Sequence, residues 1–121
     1  MRFVIGGKNS GKRAFVKNEY GIADIPRADY DTVMTERAVG DFHSFIRRMM
    51  EDNRDIRAVT DKMLAENPDI IIISDEIGYG VVPMDKADRE WRERVGRECC
   101  YIAEKAEKVI RVICGIGNVI T

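Results

Sequence analysis

The chain has 121 residues, 45% of them hydrophobic and 34% charged, which suits one domain with one core. Twenty basic residues nearly balance 21 acidic ones, and a net charge of −1 exerts no overall pull toward nucleic acid or an anionic membrane. Three cysteines, two of them adjacent, argue against a disulfide framework and fit a reducing cytoplasm, and no apolar run approaches the roughly 20 residues that span a bilayer.

Arg2–Ile5 reads as a buried strand, because Phe3-Val4-Ile5 is a short apolar run. The break at Gly6-Gly7-Lys8 makes that run too short for a signal peptide. Residues Gly6, Gly7, Lys8, Asn9, Ser10, Gly11 and Lys12 spell G-x-x-x-x-G-K, and a helix over Lys12–Glu19 is expected to follow. Strand, glycine-rich turn and helix form the context in which this motif cradles phosphate. The glycines let successive backbone N–H groups turn toward an anion, the helix N-terminus adds partial positive charge, and Lys12 brings a mobile cation to the outer phosphates. The next position of the full motif is Ser or Thr, whose hydroxyl ligates magnesium. Here it is Arg13, which cannot ligate a cation but offers a planar fork of donors. Two roles stay open for it: a solvated helix residue, or a direct contact to phosphate.

Ile22–Ile25 suggests a short edge strand ended by Pro26, and Thr32–Thr35 is a second strand candidate. Asp41 is expected to cap a helix whose Phe42, Phe45, Ile46, Met49 and Met50 form one apolar stripe. On that helix His43 reads as a polar-face residue beside the stripe, and Arg47-Arg48 as a solvated edge. A helix over Asp55–Ala65 points Ile56, Val59, Met63 and Leu64 inward and stops at Asn67-Pro68. Ile70–Ile73 is a continuous β-branched run, the signature of a central parallel strand covered on both faces. Asp75-Glu76 ends that strand, where open α/β sheets place their chemistry; a carboxylate there can accept a proton from a hydroxyl or hold a metal through water. Gly78, Tyr79, Gly80 and Pro83 make the following loop, with Tyr79 available to stack on a ring. A long helix opens at Asp85 and Asp88 and turns Trp91, Val95, Cys99, Ile102 and Ala106 to one side. Trp91 reads as the anchor of that helix. Adjacent Cys99 and Cys100 face apart and do not chelate one ion well. Val109–Cys114 is a last buried strand, with Cys114 in the core, and Val119-Ile120 a short addition after the Gly115 and Gly117 turn. The alternation of strands and helices implies an α/β fold with a mostly parallel central sheet flanked by helices in three layers, like a P-loop NTPase, in one nucleotide-binding domain spanning residues 1–121.

Several segments together resemble the adenosylcobinamide kinase/adenosylcobinamide-phosphate guanylyltransferase family. They are Gly6-Gly7 through Gly11-Lys12, Ser74-Asp75-Glu76-Ile77-Gly78-Tyr79-Gly80-Val81-Val82-Pro83, Gly96-Arg97, and Val112-Ile113-Cys114-Gly115-Ile116-Gly117. The family carries N-E-x-G-x-G-x-V-P after a strand, then G-R in a helix, then a terminal strand ending in a G-I turn. The likeness covers residues 1–17 and 69–121. It implies a cytoplasmic protein of cobalamin biosynthesis and salvage that binds GTP or ATP, with magnesium as the accompanying ion. It also implies a homo-oligomer whose second substrate is a corrinoid, adenosylcobinamide, phosphorylated on a hydroxyl. Carried over by position, Gly6–Lys12 would hold the phosphates, Glu76 would be the motif glutamate, and Gly78, Gly80 and Pro83 the motif glycines and proline. Lys12 with Glu76 or Asp75 would then carry the chemistry. The family's guanylylated histidine lies in R-I-x-x-H-x-x-x-R-P. No segment here spells it, and His43 sits in a different setting, so the resemblance implies the kinase step rather than guanylyl transfer. The alternative is a nucleotide-binding regulatory module or partner subunit without catalysis.

Overall fold

The computed structural model describes residues 1–77 and 85–121. The loop residues Gly78, Tyr79, Gly80 and Pro83 lie outside the described residues. The sheet begins with β1 (Arg2–Gly6), followed by α1 (Lys12–Tyr20), the single-turn α2 (Thr32–Thr35) and the two-residue β2 (Ala38–Val39). Then come α3 (Phe42–Glu51), α4 (Ile56–Glu66), β3 (Ile71–Asp75), α5 (Lys86–Lys105), β4 (Lys108–Ile113) and β5 (Ile116–Val119). The strand order is β2-β3-β1-β4-β5. β2, β3, β1 and β4 run parallel; β5 returns antiparallel to β4 through the turn at Cys114-Gly115.

The expected β-branched strand is there as β3, an interior parallel strand beside the central β1, and each is apolar on both faces. Phe3, Ile72 and Val109 join one cluster with Phe42, Phe45, Ile46 and Met49 of α3, Ile56 and Met63 of α4, and Val95 and Ile102 of α5. Val4, Ile71, Ile73, Ile110 and Val112 point the other way, toward Val16 of α1 and the buried Ile22 and Ile25. Successive strand residues alternate between faces, so the sheet has a core on each side. Of the stripe expected on α3, Phe42, Phe45, Ile46 and Met49 are buried and Met50 is partly buried against the same cluster.

The readings of Thr32–Thr35, Ile22–Ile25 and Cys114 change. Thr32–Thr35 is helical rather than extended: the Thr32 N–H donates to Asp29 Oδ1 at 2.8 Å and the Asp29 N–H to Thr32 Oγ1 at 2.9 Å. This reciprocal cap starts a turn and outweighs the β-propensity of Thr and Val. Ile22–Ile25 forms no strand. Its isoleucines are buried, and the extended contact falls later, as a single bridge between Arg27 and Gly40. Cys114 is exposed, in a left-handed turn conformation, not in the core. Among the described residues no helix is long and apolar enough to cross a membrane.

Candidate functional site

β1 lies between β3 and β4, so the chain departs to opposite sides of β1 and a crevice opens at the carboxyl ends of the strands. Gly6 and Asp75, the last residues of β1 and β3, are register partners in the parallel pair. The Gly6–Lys12 loop therefore springs from the sheet beside Asp75. Gly6 accepts no side chain: a Cβ there would lie 2.5 Å from the Val112 carbonyl oxygen and 2.6 Å from Ser10 Oγ. Gly11 adopts φ 89°, and a Cβ on it would come within 3.0 Å of Gly115 Cα. The Gly115 N–H donates to the Ser10 carbonyl at 2.7 Å, so the β4–β5 turn braces the loop from below. Gly11 is also the N-cap of α1, with no side chain capping the helix and no acidic residue in its first turn. That leaves the helix N-terminus free to face an anion.

The loop encloses a cavity of about 320 Å³, walled by Lys8 through Ala14, by Ile73 and Asp75 of β3, and by Asp41 at the start of α3. Gly6 and Gly7 do not line it. Lys12 is only 7% exposed. Its Nζ donates to the Gly7 carbonyl at 2.6 Å and lies 2.8 Å from Asp75 Oδ1 and 3.5 Å from Ser10 Oγ. The lysine is thus folded back over its own loop and parked on the strand-end carboxylate.

Of the two strand-end acids, Asp75 faces this cavity and Glu76 does not. Glu76 is held by both ends of its carboxylate on Arg111 of β4, at 2.8 Å from Nε and 3.0 Å from Nη2, while its N–H donates to the Gly6 carbonyl. It borders a second, smaller hollow on the α5 side with Ile5, Val95 and Cys99, which Asp75 also touches. Burial pushes the Cys99 thiol up to about 12.

His43 was expected on a polar face. The structure buries it to 8% exposure against Asp75. The Asp75 N–H donates to His43 Nδ1 at 3.1 Å, and His43 Nε2 lies 3.5 Å from Asp75 Oδ2. Burial lowers the imidazole pKa below its usual value, against the opposing pull of Asp75 and Asp41. With Nδ1 accepting, the ring is neutral and carries its proton on Nε2, the nitrogen 3.5 Å from the Asp75 carboxylate. The Trp91 indole N–H donates to the His43 carbonyl at 2.9 Å, so Trp91 anchors α5 to the first turn of α3. Arg48 lies on the solvated edge that was expected, and Arg47, its side chain 37% exposed, also pairs with Asp88 at 2.8 Å and stacks over the Trp91 ring. The sequence signal for His43 was positional. It is the second residue of α3, directly after β2, and so lies at the same strand-end rim as Asp75.

Arg13 lies in the cavity wall but points toward α3. Its Nη1 donates to the Ile25 carbonyl at 2.6 Å and its Nη2 to Asp41 Oδ2 at 3.3 Å. Arg27 Nε approaches the same Asp41 oxygen at 3.5 Å. Asp41 spends its carboxylate here and does not cap α3.

These donors do not fit a magnesium ion. Position 13 offers no hydroxyl, Asp75 is paired with Lys12, and Asp41 is shared by two guanidinium groups. Among the described residues no three His, Cys, Asp or Glu side chains converge as a metal site.

The fold and cavity define an α/β protein with a mostly parallel five-stranded sheet and a cationic, loop-walled cavity at the strand ends. A family model, cobinamide kinase / cobinamide phosphate guanyltransferase, matches residues 29–120, about three quarters of the chain. The chain belongs to that family, whose kinase and transferase activities serve cobalamin biosynthesis. The match takes in Asp41, His43, Asp75 and Glu76, and includes the middle segment where the sequence alone showed no likeness; it begins after the Gly6–Lys12 loop. A search of curated proteins finds no match.

Proposed function

We propose that the chain binds GTP or ATP in the Gly6–Lys12 cavity as one nucleotide-binding domain of the cytoplasm. It would transfer the terminal phosphoryl group to a hydroxyl of a corrinoid such as adenosylcobinamide. The observation that carries this reading is the contact between Lys12 and Asp75. Lys12 is the cation that a triphosphate would attract. When Lys12 leaves Asp75 for the phosphates, it frees the carboxylate of a residue whose own backbone N–H stays bonded to His43. The freed Asp75 then accepts the proton as the substrate oxygen bonds to the γ-phosphorus and the bond to the β-bridging oxygen breaks. Lys12 and the N–H groups at the start of α1 offset the charge on the departing diphosphate. Family membership supports both the reaction class and the corrinoid substrate.

Glu76, whose position matches the family's motif glutamate, would act differently: its pair with Arg111 fixes the far side of the β3 end. Guanylyl transfer through His43 has less support. Nδ1 is occupied by a backbone N–H and Nε2 faces Asp75, so neither nitrogen is free to attack.

A second reading, a nucleotide-binding regulatory module or partner subunit, is favoured by one fact: each carboxylate near the loop already has a cationic partner. Incubating the protein with GTP or ATP and adenosylcobinamide, and following corrinoid mass, separates the two. Phosphorylated corrinoid supports the kinase. Nucleotide binding with no corrinoid product supports the module and overturns the kinase.

A further inference from the structure

We propose that the cavity binds its triphosphate as the metal-free anion, with the Arg13 guanidinium in the place a magnesium ion would take. This rests on the nucleotide-binding reading above. Three observations converge on it.

The first is the socket around Arg13. Its Nη1 hangs from the Ile25 carbonyl at 2.6 Å, while Nη2 reaches Asp41 on the cavity wall at 3.3 Å. One edge of the fork is therefore anchored in backbone and the other is presented beside the loop.

The second is Gly40. Its N–H donates to the Pro26 carbonyl and its own carbonyl accepts from the Ala28 N–H, both at 2.8 Å. A Cβ built on this pinned residue would overlap the Arg13 guanidinium. The absence of a side chain at position 40 makes the room in which Arg13 lies.

The third is the sharing of Asp41. Arg27 approaches the same Asp41 oxygen at 3.5 Å. When a phosphate oxygen takes Nη2 of Arg13, Asp41 keeps a cationic partner and is not stranded. The exchange replaces one carboxylate by a more highly charged anion on the same donor, and planar guanidinium groups bind phosphate in two-pronged fashion. Meanwhile Asp41 stays paired with Arg27 and is not offered to a cation, and position 13 has no hydroxyl to ligate one.

The test is calorimetric titration of the purified chain with GTP and with ATP, in EDTA and in millimolar magnesium. It is repeated on Arg13→Ser, Gly40→Ala and Asp41→Asn, with circular dichroism checking that each variant is folded. Binding in EDTA should be at least as tight as in magnesium. Arg13→Ser should lose about tenfold or more in EDTA, since charge-assisted contacts to phosphate are the strong ones, and should recover part of it with magnesium. Gly40→Ala should weaken EDTA binding by displacing Arg13 while leaving Lys12 untouched. Asp41→Asn, which removes the competing carboxylate, should tighten binding severalfold. Binding that appears only with magnesium, or that Arg13→Ser leaves unchanged in EDTA, overturns this inference and leaves the nucleotide reading standing. No binding of either nucleotide under either condition overturns both.

Discussion

Lys12 Nζ lies 2.8 Å from Asp75 Oδ1, joining the first helical residue after the glycine-rich loop to the last residue of β3. Both side chains are largely buried, so the pair ties the loop to the sheet in the absence of any phosphate. The same lysine would be asked to leave when a triphosphate arrives.

Replacing Lys12 with Ala should therefore weaken GTP or ATP binding by about tenfold or more. Charge-assisted hydrogen bonds are worth roughly 1.5–3 kcal/mol, and 1.4 kcal/mol is a factor of ten. Titration calorimetry on the folded variant reads this directly. Unchanged affinity would remove phosphate from the account of the cavity.

Asp75→Asn and Glu76→Gln should part company, although the residues are neighbours. Without the Asp75 charge Lys12 is freer to meet phosphate, so nucleotide affinity should hold or rise. Corrinoid phosphorylation should fall by about 10²–10⁴-fold, the span typical of a lost general base. Glu76→Gln breaks the two-pronged contact with Arg111 on the other face. It should lower the melting temperature with little change in nucleotide affinity. The reverse pattern would assign the chemistry to Glu76.

The His43 pKa is lowered, chiefly by burial, below its usual 6.5. The unfolded chain thus takes up this proton more readily than the folded one, and stability rises with pH across the interval between the two values. The contribution is complete above about 6.5 and is lost as pH falls toward the folded value. Chemical denaturation of wild type against His43→Gln at pH 7.5 and 5.5 should show a smaller acid loss in the variant. Equal losses would mean the imidazole is not held neutral against Asp75.

Thiol accessibility tests the placement of α5. Cys100 and Cys114 are exposed, whereas burial holds the Cys99 thiol up near 12. A disulfide reagent at pH 8 should label two thiols quickly in the native protein and the third only after denaturation. Three fast thiols would contradict the packing of α5 on β1 and β3.

Much of this was legible in the chain itself. The apolar run at Phe3-Val4-Ile5 and the isoleucines of β3 announced buried parallel strands, and the spacing of Phe42, Phe45, Ile46 and Met49 announced the buried face of α3. The G-x-x-x-x-G-K loop declared its own position, because local backbone geometry and helix capping act over a few residues. The sequence also carried the family likeness at its carboxyl-terminal half, and the family match covers that half and the middle. What only the tertiary structure decided was direction and partnership. Asp75 and Glu76 are adjacent, yet only Asp75 lines the loop cavity while Glu76 turns to Arg111 of β4; which side holds the cavity depends on α1 packing beside Ile71 and Ile73 while α3 and α5 cover Ile72. His43 is buried because α3 begins at the strand-end rim, and Arg13 meets Asp41 because Gly40 leaves the space. These partners are far apart in sequence, and no local propensity encodes a contact that exists only once the strands have taken their order in the sheet.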